Sequence, residues 1–152
     1  EIEADDEASF VMNVAFIAET KYDLNVETKL YGSNINGILN VRGINEREGT
    51  VKVLMNGTVA GETKGNVLNE YAKVLNKSDH SNVLIPNLIV NTSEVEANHG
   101  VSIGHIDERQ LFYMMSKGLS KYSAVKMIEE GFLIDIMSDD IKQKIQNILV
   151  GR

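Results

Sequence analysis

A chain of 152 residues with 15 Lys and Arg against 22 Asp and Glu, a formal charge of −7, presents no basic surface for a phosphate backbone; with no Trp, four Phe and five Tyr it also has few platforms for stacking bases, so no nucleic-acid partner is expected. It contains no Cys, which excludes a disulfide framework and any thiolate-held zinc or iron–sulfur site built from this chain alone, and fits a reducing, cytoplasmic setting. No apolar run nears the ~20 residues of a membrane helix, so no membrane partner is expected, while a hydrophobic content of 43% supports a real core.

The chain opens at Glu1 rather than Met, in the acidic segment "EIEADDEASF", which points to a fragment or a processed product. Short β-branched runs follow. In "NINGILNVRG", Ile38 and Asn40 flank Leu39 and Val41. "TVKVLMNGTV" puts Val51, Val53 and Met55 on one face, and "NVLIPNLIVNT" contributes Val83, Ile85, Leu88 and Val90. Turns rich in Asn, Gly and Ser separate them: "SNING", "MNGTVAGETKGN", "NKSDHSN". Only "VLNEYAKVLNK" admits a helical reading. Strands of this kind, without helices between them, build a sandwich, a barrel or a β-helix. The Asn-rich turns lean toward a coil of parallel rungs, in which Asn side chains can stack at corners, although no strict repeat length emerges.

Near Gly104 the period changes from 2 to 3.6, dividing the chain into a β part, 1–104, and a helical part, 105–152. The acidic excess lies wholly in the first, which holds 8 basic and 15 acidic side chains against 7 of each in the second. Asp107, with Gln110 three residues on, opens a helix carrying Leu111, Phe112, Met114 and Met115, and Gly118 closes it. Ser120 caps a second helix, with Tyr122, Ala124, Val125 and Ile128 facing inward and Gly131 interrupting it. "FLIDIM" is a short apolar segment. Ser138 or Asp139 caps a last helix with Ile141, Ile145, Ile148 and Leu149 on one stripe. Three or four helices this short cannot hold a core alone and must pack on the β part or on a partner.

Chemical motifs are sparse. "GETKGN" lacks the spacing of a phosphate loop, and no Gly-x-Ser-x-Gly elbow occurs, so no catalytic residue is assigned. His80, His99 and His105 form no His-x-His or His-x-x-x-His pair. His80 sits in the polar turn "KSDHSN" beside Asp79, and His105 precedes a helix cap as a surface residue. Glu94 and Glu96 alternate on a solvated strand face. Met114 and Met115 read as core rather than as a cofactor contact.

Residues 93–133 carry a specific likeness. "ANHGVSIG", "DERQLFYMMSKGLS" and "YSAVKMIEEGFL" resemble, in order and spacing, a pattern of the SufB/SufD family of iron–sulfur cluster assembly proteins: Cys-Ser-His-Gly-Ala-Thr-Val-Gly, an acid-capped helix with Leu-Phe-Tyr, a Gly-containing turn, and an Ala-containing helix ending in Gly-Phe. Upstream, "LNKSDHSNVLIPNLIVNTSEVEA" is similar to the family's Pro-containing segment, with Pro86 at the matching position. "YGSNINGILNVRG" and "TVAGETKGN" resemble earlier rungs more loosely.

The resemblance implies a mainly β fold, a right-handed parallel β-helix followed by a small C-terminal α-helical subdomain. It implies a shortened homologue or a fragment, and a non-catalytic scaffold with two partners. One is a SufC-like ATPase docked on the helical end, for which Phe112, Tyr113, Leu119 and Phe132 are the candidate anchors. The other is a second SufB/SufD-type chain, the same protein or a paralogue, paired through the last β-helix strands. His99 matches a family histidine at that seam and is the candidate ligand for a transiently held iron–sulfur cluster, with no nucleotide bound by this chain. The family cysteine is replaced by Ala97 and the following Ser by Asn98, which removes a thiolate. Two rivals follow from the residues: a self-associating structural β-helix with no cluster role, which the lack of Cys favours, and a glycan-cleaving β-helix, for which a pair such as Lys52 and Glu62 supplies no acid cluster.

Overall fold

The computed structural model describes residues 1–46, 49–77, 81–139 and 141–143. Eight strands lead into two helices: β1 (Ile2–Ala4), β2 (Ser9–Ala18), β3 (Tyr22–Leu30), β4 (Asn36–Asn45), β5 (Val51–Val59), β6 (Asn66–Asn76), β7 (Val83–Val90), β8 (Val95–His105), α1 (Glu108–Ser116) and α2 (Lys121–Ile134). The odd strands form one four-stranded sheet, β1-β3-β5-β7, and the even strands a second, β2-β4-β6-β8. Every pairing is parallel. The chain therefore alternates between two facing sheets and climbs one rung per pair of strands, as a β-solenoid. The segment "VLNEYAKVLNK" belongs to β6 and is not helical. Partners in adjacent rungs stand 27 residues apart at Asn13 and Asn40 and 29 apart at Asn69 and Asn98. This drift hides the repeat from a fixed-period reading.

Alternation along each strand sends every second side chain inside. Val51, Val53, Met55 and Val59 of β5, and Leu68, Ala72 and Val74 of β6, are at most 1% exposed. On β7 the inward set is Leu84, Pro86, Leu88 and Val90, stacked on Val53, Met55, Gly57 and Val59; Val83 and Ile85 lie on the outer face instead, because the pairing with β5 sets the parity. Asn ladders run up the outside: Asn87 donates to Asn56 at 2.9 Å and Asn56 to Asn25 at 3.0 Å, while Asn40 donates to Asn13 at 2.9 Å. Other Asn residues pin the corners. Asn66 accepts from the Ile35 amide at 2.9 Å and donates to the Gly32 carbonyl at 2.9 Å. Inside, the Phe16 ring covers Gly43 in the next rung, where an added Cβ would meet the ring at 2.2 Å, and stacks on Tyr22 with centroids 4.3 Å apart.

Asp107 and Ser120 are the N-caps, accepting from the amides of Arg109 at 2.8 Å and Ser123 at 3.1 Å. Gly118, with φ of +95°, ends α1: its amide reaches the Met115 carbonyl and that of Leu119 the Met114 carbonyl, the paired bonds of a Schellman stop. Helix α2 continues through Gly131, where a side chain would meet nothing, so that glycine interrupts no packing and breaks no helix. Tyr122 is 66% exposed and does not face inward; Ala124, Glu129 and Leu133 are the buried residues of α2. A further helical turn follows Ser138, whose carbonyl accepts from Ile141 and Lys142. Ile145, Ile148 and Leu149 lie outside the described residues, as does His80.

Helix α2 straps the outer face of the second sheet. Glu129 pairs with Lys77 after β6 at 2.8 Å, and Asp135 pairs with Arg42 of β4 at 3.3 Å. The Arg42 guanidinium also lies over the Phe132 ring, 5.0 Å from its centroid. Burial alone would pull the Lys77 ammonium down, but Glu129 and Glu46 more than offset it and hold it above its ordinary value.

Gly43→Ala should destabilise the chain by about 1–3 kcal/mol in urea unfolding, the range of an overpacked core, because the new methyl group must displace the Phe16 ring. Gly131→Ala, in open space on a helix, should raise stability by a few tenths to about 1 kcal/mol in the same assay.

Candidate functional site

Each inner rung is covered on both sides, but among the described residues no further strand pairs with the outer edges of β7 and β8, nor with those of β1 and β2 at the other end. Asn98 donates to Asn69 at 3.1 Å on the outer face, so its neighbours Ala97, His99, Val101 and Ile103 occupy inward positions. They stand in register with Leu68, Glu70, Ala72 and Val74. Those four are buried, whereas Val101 is 39% and Ile103 45% exposed. Val90, inward on β7, is 39% exposed. The last rung is thus an open apolar mouth between two free strand edges, and the exposed His99 stands in it.

Beneath His99 the interior is not apolar. Glu70 is 0% exposed, and neither carboxyl oxygen reaches a hydrogen-bond partner. Burial pushes its pKa above the usual carboxylate value; the Thr28 hydroxyl eases the ionised form without completing a well-formed bond. Thr28 is itself fully buried. A Cβ on Gly57 would lie 2.9 Å from Glu70 Oε2 and 2.8 Å from Leu88 Cδ1, so the carboxyl crosses the interior toward β5 in the space that this glycine leaves. Thr28, Gly57 and Glu70 separate two apolar clusters, one around Leu39, Met55 and Val74, the other around Leu30, Ile35 and Leu68. The interior therefore carries polar groups on three successive rungs, Thr28, Glu70 and His99, and the last faces out.

The helical candidates divide. Phe112 and Tyr113, adjacent on α1, are 74% and 61% exposed, and α1 buries no residue at all. Leu119 and Phe132 are half-buried. Leu119 completes the stop of α1, and Phe132 carries Arg42 on its ring and lines a cleft of about 370 Å³ at the junction of β8 with the helices. Tyr122 and Met127, exposed on α2, join the surface apolar groups that the sequence reading placed elsewhere or passed over. Glu94 and Glu96 are exposed, as expected of a solvated face, and His105 is exposed at the end of β8. Met115 is 41% exposed and Met114 half-buried, so that pair is less a core element than expected. Glu70 escaped notice because its segment admitted a helical reading. Read as a strand, "LNEYAKV" puts it in step with Leu68, Ala72 and Val74, and an acid in that row is the signal.

A family model described as the SufBD core domain of SUF-system FeS cluster assembly matches residues 3–132. The chain belongs to that family. It is 32% identical over 118 residues to an iron–sulfur cluster assembly SufBD family protein of Pyrococcus horikoshii, a match covering 77% of this chain and 26% of the relative. It is 35% identical over 54 residues to the iron–sulfur cluster assembly protein SufD of Bacillus subtilis, 36% of this chain and 12% of the relative. The SufD protein of Escherichia coli is 33% identical over 64 residues, 40% of this chain and 15% of the relative. The chain thus spans about a quarter of the length of the archaeal relative and less of the others. Family membership points to a role in SUF iron–sulfur assembly. As a SufBD core, the solenoid carries His99 on its last rung and holds α2 on the outer face of one sheet. No helix among the described residues is long and apolar enough to cross a membrane.

Stability should depend on pH through Glu70. Unfolded, it loses its proton near the ordinary carboxylate value; folded, it holds the proton to higher pH. Between those values the folded chain binds more protons, so raising the pH favours the unfolded state. The stability that the neutral carboxyl lends is full below the unfolded value and lost as the pH rises to the folded one. Glu70→Gln should flatten this slope in urea melts taken from about pH 4 to pH 8, leaving the variant more stable than the parent at the alkaline end.

Proposed function

We propose that this chain is a non-catalytic scaffold subunit of a cytoplasmic SUF-type iron–sulfur assembly complex. It pairs through the mouth of its solenoid with a second SufB/SufD-type chain, docks a SufC-like ATPase through its helices, and offers His99 to the iron or cluster being assembled. The observation that carries this reading is the open last rung. Two parallel edges and an exposed inward apolar row, Val90, Val101 and Ile103, are what a monomeric solenoid would cover and what a second solenoid end can extend.

The donor at the mouth suits iron as cargo. An imidazole nitrogen is a borderline ligand that fits an iron(II) ion. With Ala97 in place of the family cysteine and no Cys in the chain, this side supplies no thiolate, and the sulfur-rich ligands of a complete cluster belong on the partner chain. Phe112 and Tyr113 support ATPase docking, since aromatic side chains this exposed, on a helix whose other face is only half-buried, are the anchors that a partner's groove takes. Leu119 and Phe132 then act through the fold, holding the helix stop and the strap. The lack of Cys also favours the rival reading, self-association with no cluster role.

Co-purification with a SufC-type ATPase separates the two. The wild-type chain should retain the ATPase. Phe112→Asp or Tyr113→Asp should weaken retention by about tenfold or more without lowering the melting temperature, whereas Phe132→Asp should lower the melting temperature by undoing the Arg42 contact. Ile103→Lys should abolish pairing with a second SufB/SufD-type chain in sizing and leave ATPase binding intact. A folded wild-type chain that pairs only with itself and ignores the ATPase would make the structural reading the right one.

A further inference from the structure

Glu70 is a buried acid one rung from water. Its carboxyl is fully buried, and neither oxygen has a hydrogen-bond partner. It lies on β6, so β4 and β2 stand between its strand and one edge of that sheet, and β8 alone between its strand and the other. The cover on that side is thin. Glu70 Oε2 and Leu88 Cδ1 crowd the same space over Gly57, 2.9 Å and 2.8 Å from where a Cβ would stand, and Leu88 of the last rung is itself only half-buried. Among the described residues that rung is held along one edge only, and Val90, Val101 and Ile103 of its inward row are exposed. Of the residues that face Glu70, Thr28 of β3, Leu39 of β4, Gly57 of β5 and Leu88 of β7 carry no charge. His99 of β8, its register partner, is the titratable group in the facing row.

We propose that Glu70 is a pH-sensitive latch for the last rung: while the carboxyl keeps its proton it stays sealed and β7 and β8 stay seated, and once the proton leaves, the charge is hydrated by lifting that rung rather than by unfolding the chain. The proton goes to solvent. A bare carboxylate inside the stack has the Thr28 hydroxyl to ease its charge and is otherwise held by apolar surroundings. Lifting one terminal rung costs less than opening the whole stack, because it breaks pairing along a single edge and uncovers a row that is already partly exposed. Linkage sets the sign. With the rung lifted, Glu70 binds its proton with ordinary carboxylate affinity; sealed, burial makes it hold the proton more tightly. Between those two values each pH unit favours the lifted state by up to about tenfold, and above the sealed value the gain levels off. Resting on the reading of this rung as the pairing surface, the latch makes pairing proton-dependent. A second chain seated on the rung keeps the carboxyl sealed, so pairing is tightest on the acid side and weakens as the pH rises.

Amide hydrogen exchange of the full chain tests the latch, read by peptide from about pH 4 to pH 8 and corrected for the intrinsic pH dependence of exchange. Peptides from β7 and β8 should lose protection by up to about tenfold per pH unit over part of this range, while those from β3 and β4 hold theirs. Glu70→Gln should remove the slope. Should that variant melt below wild type, Glu70→Met, which fills the same space without a polar group, should remove it as well. His99→Ala should keep it. A wild-type chain without the slope overturns the latch. So does a slope shared equally by β3 and β4, one that survives both Glu70 substitutions, or one that disappears in His99→Ala. Sizing with a second SufB/SufD-type chain over the same range tests the consequence. Pairing that weakens with pH in wild type and not in Glu70→Gln supports it, and pairing that ignores pH refutes it. No pairing at any pH beside an intact exchange slope refutes the pairing reading and leaves the latch standing.

Discussion

A rung of this solenoid cannot bury its own interior. Each contributes a thin layer of inward side chains, and only the rung above and the rung below take that layer out of water. Leu39, Val53 and Val74 are fully buried because each lies between neighbours, and Val101 and Ile103 are not because the stack ends with them. Parallel pairing in continuous register is therefore the constraint on which the rest depends. It fixes the parity of every strand and keeps the Asn ladders aligned, and it makes the terminal rung the natural place for an interaction.

Two devices hold the stack together at the sides. The Asn ladders satisfy side-chain amides across rungs and tie corners to backbone groups that would otherwise be stranded. Helix α2 acts across rungs rather than along one. By pairing Glu129 with Lys77 and Asp135 with Arg42 it connects the end of β6 to β4 over the outer face of one sheet. Its buried residues are few, Ala124, Glu129 and Leu133, so the fastening is as much ionic as apolar. Helix α1 packs on α2 with Leu111 and Met114 half-buried and leaves Phe112 and Tyr113 exposed.

The polar groups inside the solenoid are the exception to this economy. Thr28 and Glu70 interrupt the apolar interior on successive rungs, and Gly57 yields its side-chain space to the Glu70 carboxyl. A buried, unpaired acid is costly to a fold, by about 1–3 kcal/mol for its lost hydrogen bonds. Such groups concentrate where a protein binds or reacts. Here the polar file leads from the interior to His99 and the open mouth.

Much of this was legible in the chain itself. The period-two runs marked the strands, Asp107, Ser120 and Gly118 marked the helix ends, and "ANHGVSIG" with "DERQLFYMMSKGLS" carried the family, because caps, stops and alternation are local and act over a few residues. Other features were not. Gly131 looked like a break and is not one, since a long helix tolerates a single glycine once it is strapped to a sheet. Tyr122 looked inward and is exposed, and Val83 and Ile85 looked inward because the parity of β7 is set by its pairing with β5 rather than by its own apolar count. The burial of Glu70 and its register with His99 join residues 29 apart in sequence, and the spacing between rungs drifts along the chain. The sequence alone determined which segments alternate, where helices start and stop, and which family the chain resembles. Only the tertiary structure decided which rung is left open and which acid lies beneath its histidine, because both depend on how one turn of the solenoid is laid upon the next.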